Sequence, residues 1–474
     1  MNSVDLAFTP ALDQAALIRQ KTVSPVELVE LYLSRIQAID SRINSYITVI
    51  AERALQEAAE KTEAIAKASD PDELPPFFGV PISVKDLNPM KGVRFTLGTA
   101  ALTDNMATFD DATVTRIRQA GFIILGKTAT PELGTLPYTE PHGLPSTRNP
   151  WNLDYTPGGS SGGAAASLAA GLCAIAQGSD GGGSIRGPAF CCGLVGIKPA
   201  RGRVSYAPIG DTPGGIATNG SLARTVADAA AFIDALAGYV TGDPYWLPAP
   251  QPSFLTTARQ AAQQGVGRSL RIGYLTAIPP VGEAETSCQQ AVHDTVQLLE
   301  TLGHRVEPTA LDISELIEPF TVVFRAGIGA AGIPPEALSP MNQWYLSHQD
   351  SAGEYLKSLW QMQAIARRVV GHLSQFDAVV LPTYLHPPIR VQQWADLSPA
   401  DTLKEITRWI APCPPFNATG QPVVAFPTGF GTNGLPTGVQ IVGRPADEAT
   451  IIALAAQLEA VHPWEHRPPL AEAA

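Results

Sequence analysis

The chain has 474 residues, of which 45% are hydrophobic and 16% charged, and its formal net charge is −12. This composition is sufficient for a large buried core and differs from that of a disordered chain. The acidic balance argues against a nucleic-acid partner, because no basic surplus is available to neutralise phosphates.

The cysteines fit neither a disulfide framework nor a zinc site, because their number is odd and no C-x-x-C spacing occurs. They are Cys173, Cys191, Cys192, Cys288 and Cys413. The first residues lack the basic and apolar regions of a signal peptide, and no apolar run approaches the roughly 20 residues that span a bilayer. These features predict a soluble, cytoplasmic protein with no membrane partner.

The first part of the chain begins with two predicted helices. Ser24, Pro25 and Glu27 have the pattern of a helix start, with a serine cap, a proline at the first helical position and a glutamate three residues after the cap. A second helix, rich in alanine and glutamate, is predicted over residues 49–67. Both helices are expected to pack against the core and to carry no chemistry.

A short apolar strand is predicted at residues 80–84, and it ends at Lys85. A lysine at a strand end usually points to solvent and has no special role. Burial would change this, because desolvation disfavours the charged form and lowers the pKa of the amine. Lys85 is therefore a candidate general base in its neutral form.

Residues 121–128 follow a helix predicted over 111–120, and they fit the phosphate-binding pattern G-x-x-x-x-G-K-[ST]. In a phosphate loop the variable positions form a turn, whereas residues 122–125 are an apolar run typical of a buried strand. We interpret the match as coincidental and predict a strand here, with no nucleotide site.

The second half of the chain alternates between apolar runs and helical patterns. Strands are predicted at 270–275, 304–307 and 376–383, and helices at 225–237 and 286–302. Residues 239–267 are rich in proline and glutamine and are interpreted as a surface excursion. Residues 310–375 carry large apolar side chains for which the sequence leaves open a role in the core or in a pocket: Phe320, Phe324, Met341, Trp344, Tyr345, Tyr355, Trp360 and Met362.

Two glycine-dense segments each carry a serine, at Ser160 in Gly158-Gly-Ser-Ser-Gly-Gly163 and at Ser184 in Gly178-Ser-Asp-Gly-Gly-Gly-Ser184. Glycine permits turns with positive φ and lets backbone N–H groups approach a ligand. Gly181, Gly182, Gly183 and Ser184 supply four consecutive N–H groups beside a hydroxyl. This is the arrangement required by a serine nucleophile with adjacent oxyanion donors.

Residues 158–162 also fit G-x-S-x-G, the nucleophile elbow of α/β-hydrolase esterases. An elbow follows a hydrophobic strand directly, and residues 149–157 do not have such a pattern. The eight histidines lie in no recognisable partner motif, and His142 is interpreted as a loop residue. An esterase that uses Ser160 in this way is a distant alternative.

Taken together, the chain resembles the amidase signature family from Gly158 to Pro199, including Gly193-Leu-Val-Gly-Ile-Lys-Pro199. Upstream, Gly79-Val-Pro-Ile-Ser-Val-Lys85-Asp86 is similar to the segment that carries the family's catalytic lysine. The resemblance implies a triad of Lys85, Ser160 and Ser184, with Ser184 as nucleophile and a cis peptide before Ser160. It implies no cofactor and no metal.

The resemblance also implies an α/β fold, with a large twisted mixed β-sheet covered by α-helices on both faces. One domain is expected over residues 1–474, with the signature core at about 75–205 and a variable region that walls the substrate cavity at about 305–375. Asp180 and Arg186 are assigned to a structural charge pair beside the nucleophile, and Ser161 to a supporting role.

The expected reaction is hydrolysis of amide C–N bonds through an acyl-enzyme, because all members of the family stabilise the same oxyanion. Residues 139–141 and 147–153 are similar to the branch that contains 6-aminohexanoate-cyclic-dimer hydrolases and bacterial amidases. Carbamates and esters are compatible substrates, and a homodimer is an allowed state. The alternative is a glutamine-hydrolysing subunit of a transamidation complex, which carries the same signature.

Overall fold

The sheet at the centre of the molecule takes strands from most of the chain. In the computed structural model, which describes residues 2–472, eleven strands form one mixed sheet and two short strands form a separate hairpin. The strands are β1 Tyr46–Val49, β2 Pro81–Lys85, β3 Ile123–Thr128, β4 Ile175–Asp180, β5 Val195–Lys198, β6 Thr218–Ala223, β7 Arg271–Tyr274, β8 Ala277–Ile278, β9 Gly282–Glu283, β10 Arg305–Pro308, β11 Ala378–Pro382, β12 Val423–Phe430 and β13 Pro436–Gly443.

The helices surround this sheet. Within the same residues they are α1 Ser3–Phe8, α2 Ala11–Arg19, α3 Pro25–Ile43, α4 Ala51–Lys67, α5 Ala112–Gln119, α6 Gly162–Ala169, α7 Arg186–Cys192, α8 Val226–Leu236, α9 Phe254–Gln264, α10 Thr286–Thr301, α11 Ile317–Ala330, α12 Pro340–Ser347, α13 Ala352–Leu373, α14 Pro399–Ile410, α15 Pro414–Ala418 and α16 Glu448–Val461. None of the helices in residues 2–472 is both long and apolar enough to cross a membrane.

The strand order is β1-β3-β2-β4-β6-β5-β12-β13-β11-β7-β10. The central strands β2 and β4 run parallel to each other, and both β4–β6 and β12–β13 are antiparallel pairs. Every residue of β2, β11 and β13 is buried. Successive side chains of a strand point to opposite faces, so both faces of the sheet are covered. The predicted α/β fold is confirmed.

The local predictions hold where the sequence signal is strong. The capping box at Ser24 is formed, with Ser24 and Glu27 each accepting from the other's backbone N–H at the start of α3. The apolar run of the phosphate-loop match lies in β3, which confirms the predicted strand. Lys127 within that match is buried and paired with Asp86, its Nζ 2.9 Å from Oδ1, and is not part of an open loop.

Two predicted elements differ from the structure. Val49 ends β1, an edge strand antiparallel to β3, and the helix assigned to residues 49–67 begins at Ala51. The segment 239–267, interpreted as a surface excursion, contains α9, which Ser253 caps. Its buried Phe254, Ala258 and Ala261 lie against the core, so proline-rich flanks concealed an amphipathic helix.

We expect the buried ion pair between Arg203 and Glu448 to be a strong point of the fold. Glu448 is fully buried and accepts from Arg203 Nε at 2.8 Å and from Ala200 N at 3.1 Å. Glu448→Ala leaves a buried guanidinium unpaired and should lower the free energy of unfolding by about 3–5 kcal/mol in urea titration. Asp154→Ala, which removes an exposed pair with Arg390, should cost less than about 1 kcal/mol. Equal losses in the two variants would contradict this assignment.

Candidate active site

Lys85 ends β2, the strand that lies between β3 and β4, and its side chain is fully buried. Its Nζ lies 2.7 Å from Ser160 Oγ and 3.0 Å from Ser179 Oγ, and it also donates to the Ser179 carbonyl at 3.4 Å. The backbone of Lys85 is held by the fully buried Gln177, which accepts from its N–H at 2.9 Å. Lys85 therefore contacts hydroxyls, and no carboxylate lies within ion-pair distance of it among the described residues.

Burial lowers the pKa of the Lys85 ammonium to about 7, and the nearby negative charge of Asp180 opposes this effect. Desolvation dominates because an ammonium with only hydroxyl and carbonyl partners is poorly compensated away from water. A substantial fraction of Lys85 is therefore a neutral amine near neutral pH. The requirement for a general base that the sequence raised is met by this environment.

Ser160 follows a cis peptide bond with Gly159, as the resemblance implied. A side chain at Gly159 would overlap the neighbouring segment, since a Cβ there would lie 2.5 Å from Tyr138 N and 2.7 Å from Leu136 O. The backbone can pass this close only without a Cβ. Residues 153–160 form no strand, and the bond from Ser160 goes to a lysine, so the nucleophile-elbow alternative is not supported.

Ser184 lies in the loop between β4 and α7, and Asp180 shapes this loop. The carboxylate of Asp180 accepts from the N–H groups of Gly183 at 2.8 Å and Ile185 at 3.0 Å. Arg186 binds it through two nitrogens, at 2.8 and 3.0 Å, and both side chains are fully buried. Burial disfavours the charge on Asp180, but Arg186 outweighs this and holds the pKa of the carboxyl well below its usual range.

Asn417 completes this charged cluster. Its Nδ2 donates to Asp180 Oδ1 at 2.9 Å, and its Oδ1 accepts from Arg186 Nη2 at 2.6 Å. Gln440 accepts from Arg186 Nη1 at 3.0 Å. The sequence left two roles open for Asn417, contact with substrate or support of a loop, and its hydrogen bonds identify loop support. Ser161 has a comparable role, because its N–H donates to the Ser184 carbonyl at 3.2 Å.

The backbone donors near Ser184 divide into two groups. The N–H of Gly183 is bonded to Asp180, whereas among the described residues those of Gly181, Gly182 and Ser184 donate to no protein atom. Ser184 Oγ likewise has no protein hydrogen-bond partner in residues 2–472, so Ser160 and Ser184 are neighbours without a direct bond. Catalytic hydrogen bonds of this kind are often long or absent before substrate binds.

Ser184 lies at the junction of two cavities that we call the apolar cavity and the mixed cavity. Their empty volumes, open mouths included, are about 830 and 1120 Å³, which is enough for a small molecule. Ser184, Gly134, Thr135 and Phe324 line both cavities. Ser160 lines the mixed cavity only.

The apolar cavity is walled by α11 and α14, with contributions from α12 and the segment after β11. Its larger side chains are Ile313, Leu316, Ile317, Phe320, Phe324, Tyr345, Tyr384, Leu403, Ile406 and Ile410. The mixed cavity adds polar side chains: Asn88, Thr135, Ser179, Tyr206, Thr212 and Asn219. Among residues 2–472, no Asp, Glu, Lys, Arg or His lines either cavity.

The aromatic residues of the variable region have different roles. Phe320, Phe324 and Tyr345 line the apolar cavity, Met341 and Met362 are buried in hydrophobic clusters, and Trp360 is exposed. Sequence reasoning did not find α14, whose residues lie outside 305–375. It also did not assign Ser179, although the motif contains it; its position at the end of β4, two residues from Gln177, was the available signal.

Three comparisons with known proteins bear on this site. The family model described as "Amidase" matches residues 27–452. A Synechocystis sp. protein, named as an amidase with no substrate stated, is 48% identical over 96% of this chain and 89% of its own length. The chain belongs to the amidase signature family. The 6-aminohexanoate-cyclic-dimer hydrolase of Pseudomonas sp. is 32% identical, over 99% of this chain and 98% of the relative.

Solved structures of the family have the same fold. A 6-aminohexanoate cyclic dimer hydrolase complexed with substrate matches at a TM-score of 0.90 and 31% identity, over 98% of this chain and all of the other. A bacterial aryl acylamidase matches at 0.85 and 25% identity, over 98% of each chain. The signature-bearing subunit of the Thermotoga maritima glutamyl-tRNA(Gln) amidotransferase matches at 0.74 and 25% identity, over 95% of each chain.

The lowered pKa of Lys85 predicts a pH-dependent stability. The unfolded chain binds the lysine proton up to its ordinary pKa near 10.4, whereas the folded chain releases it above about 7. Between these values the unfolded state holds more protons, so the free energy of unfolding gains up to about 1.4 kcal/mol per pH unit as pH rises. Lys85→Met should lack this gain.

Urea titrations of the two proteins at pH 6, 8 and 10 measure this difference. The excess of wild type over Lys85→Met should rise from pH 8 to pH 10. Below pH 6, where the lysine is protonated in both states, it should be constant and serves as the internal control. Parallel stability curves over the whole range would show that Lys85 is not buried as a neutral amine.

Proposed function

We propose that this protein is a serine hydrolase of uncharged amides that uses Lys85, Ser160 and Ser184. The observation that carries the proposal is the position of Ser184 at the junction of two cavities without charged lining side chains in residues 2–472. The bond from Lys85 Nζ to Ser160 Oγ at 2.7 Å supports the roles of the other two residues.

The proposed reaction begins when neutral Lys85 accepts the Ser160 proton and Ser160 accepts the proton of Ser184. A serine hydroxyl is a weak nucleophile and requires such a base. Ser184 Oγ attacks the carbonyl carbon, the C–N bond breaks, and the amine takes the proton that returns from Lys85 through Ser160. Water then hydrolyses the ester formed on Ser184, with the same groups moving its proton.

The proposed oxyanion site differs from the one drawn from sequence. Four N–H groups were expected, but that of Gly183 is directed to Asp180. We assign the N–H groups of Gly181, Gly182 and Ser184, which have no protein acceptor among the described residues, to the developing negative charge. Each such donor contributes about 3 kcal/mol to transition-state stabilisation in comparable enzymes.

The two cavities suggest how the substrate is oriented. Ser160 returns the proton to the leaving amine, and Ser160 lines only the mixed cavity. The amine therefore occupies the mixed cavity, where Asn88, Ser179 and Asn219 offer hydrogen bonds. The acyl group then occupies the apolar cavity against α11 and α14. Carbamates and esters that fit these two spaces form the same oxyanion and are included in the proposal.

Glutamine is a poor fit to these cavities. Its α-ammonium and α-carboxylate are both charged, and a charged group taken from water requires a counter-charge or several strong hydrogen bonds. A glutamine-hydrolysing subunit therefore needs charged side chains near the nucleophile. The similarity to the amidotransferase protein reflects the shared fold and signature, and the uncharged lining favours a hydrolase acting alone.

The deciding experiment measures initial rates of the purified chain on an acyl anilide and an aryl carbamate that release the same amine. 6-Aminohexanoate cyclic dimer and L-glutamine are tested beside them, with Ser184→Ala as the blank. We expect turnover above the blank on at least one uncharged substrate and none on glutamine. Glutamine hydrolysis without uncharged-amide turnover would reverse the assignment.

Ser184→Ala should reduce turnover by about 10³-fold or more, because it removes the nucleophile while the loop stays bonded to Asp180. Lys85→Ala should cost about 10²–10⁴-fold at neutral pH as the loss of a general base. Ser167→Ala is the matched control, since this buried serine on α6 lines neither cavity. Wild-type turnover in either site variant would refute the triad.

The pH profile tests the protonation state of Lys85. Its pKa is lowered to about 7, and only the neutral amine can accept the Ser160 proton. The value of kcat/KM should therefore rise with pH, with a midpoint near 7 and a plateau above it, because this parameter reports the free enzyme. Circular dichroism at each pH controls for unfolding. A profile that is flat from pH 5.5 to 9 would exclude Lys85 as the base.

The expected cytoplasmic location and the homodimer stay predictions. All five cysteines are buried and unpaired, which is consistent with a reducing compartment. Sedimentation of the purified chain would decide its oligomeric state.

A further inference from the structure

A buried carboxylate outside the proposed triad lies close to both cavities. Glu132 follows β3 and is 2% exposed. Its Oε2 accepts from Ser339 N at 2.8 Å and from Asn342 Nδ2 at 2.6 Å, whereas Oε1 has no hydrogen-bond partner among the described residues. No Lys, Arg or His within residues 2–472 forms an ion pair with it. Two hydrogen bonds to α12 and its cap therefore carry the whole compensation of this carboxylate.

Asn342 connects this carboxylate to the cavity wall. Its Nδ2 is donated to Glu132, and its Oδ1 accepts from Thr135 Oγ1 at 2.9 Å. Thr135 Oγ1 also lies 3.0 Å from the Glu132 carbonyl. Asn342 is 1% exposed and lines neither cavity, whereas Thr135 lines both. The amide therefore acts on the site only through its neighbours.

The segment that Thr135 belongs to is packed directly on the Ser160 loop. Residues 134–136 line the apolar cavity, and Tyr138 N and Leu136 O approach Gly159 so closely that no Cβ fits between them. On the same segment, a Cβ at Gly134 would lie 3.2 Å from Ser160 Oγ. Movement of residues 134–138 would therefore displace the hydroxyl that links Lys85 to Ser184.

We propose that Glu132 and Asn342 are positioning residues that hold residues 134–138 against the Ser160 loop and fix the partition between the two cavities. The same contact ties α12, which supplies Tyr345 to the apolar cavity, to the strand end beside the chemistry. The variable wall and the signature core are therefore aligned through one hydrogen-bonded pair. This inference rests on the proposed roles of Ser160 and Ser184.

The test must separate positioning from folding. The double variant Glu132→Met/Asn342→Leu replaces both polar partners with apolar side chains of similar size, a change that can leave stability nearly unaltered. Asn342→Ala breaks the pair and leaves the carboxylate with one donor, and Glu132→Gln keeps an oxygen acceptor for Ser339 and Asn342. Ser253→Ala is the control, because it removes the cap of α9 far from both cavities.

Two readouts are used on each full-length protein: the labelling rate of Ser184 by a fluorophosphonate, which does not depend on the natural amide, and kcat and KM on the uncharged anilide. We expect labelling and kcat of the double variant and of Asn342→Ala to fall about 10- to 100-fold at an unfolding midpoint like that of Ser253→Ala. Glu132→Gln should label near the wild-type rate. Hydrogen exchange of residues 134–138 should accelerate only where the pair is lost.

The outcomes distinguish this inference from the proposed function. Wild type that is labelled at Ser184 but cleaves no uncharged amide would remove the substrate assignment and leave the positioning role supported by the labelling rates. A folded double variant or Asn342→Ala that is labelled at the wild-type rate, with unchanged exchange at 134–138, would overturn the positioning role. If the double variant does not fold, the contrast between Asn342→Ala and Glu132→Gln decides.

Discussion

The buried ion pair between Asp180 and Arg186 is the constraint on which the site depends. A carboxylate at the end of β4 binds the N–H groups of two residues in the following loop and the guanidinium at the start of α7. Fixing Gly183 and Ile185 in this way leaves the N–H groups of Gly182 and Ser184 without a protein acceptor among the described residues. The loop is thus ordered by one set of its donors while the others stay available to a ligand.

A second constraint is the contrast between two buried lysines on neighbouring strands. Lys127 on β3 has its own carboxylate, Asp86, at 2.9 Å. Lys85 on β2 has two hydroxyls and a carbonyl, and burial lowers its pKa to about 7. Both ammonium groups lie in the same sheet, so the difference arises from the partner that the fold provides. Only the lysine without an ion pair can exchange its proton near neutral pH.

Sequence patterns identified the parts of the site that lie close together along the chain. The glycine-rich segments placed Ser160, Asp180, Ser184 and Arg186, and the apolar run before Lys85 indicated its burial. Contacts between distant segments were not accessible in this way. Asn417 reaches Asp180 across 237 positions, and Asn342 reaches Glu132 across 210, so no local pattern indicates either pair.

The same reason accounts for the errors in the fold and cavity predictions. Residues 46–49 form a strand only because β3 lies beside them, and α14 lines the apolar cavity only because the chain folds it over α12. The oxyanion donors were counted correctly as N–H groups, but their directions depend on the Asp180 carboxylate. Tertiary partners, rather than local propensity, decided each of these features.

The two cavities allow chemistry and substrate choice to be altered separately. Residues between β2 and α7 supply Lys85, Ser160, Ser184 and the backbone donors, whereas α11 and α14 supply most of the apolar wall. A change in the size of Phe320 or Ile406 alters the space for an acyl group without touching the proton path from Lys85. The segment 134–138 is the exception, because it contacts both the wall and Gly159. Its attachment to α12 through Asn342 is therefore where selection of the substrate and alignment of Ser160 depend on the same hydrogen bonds.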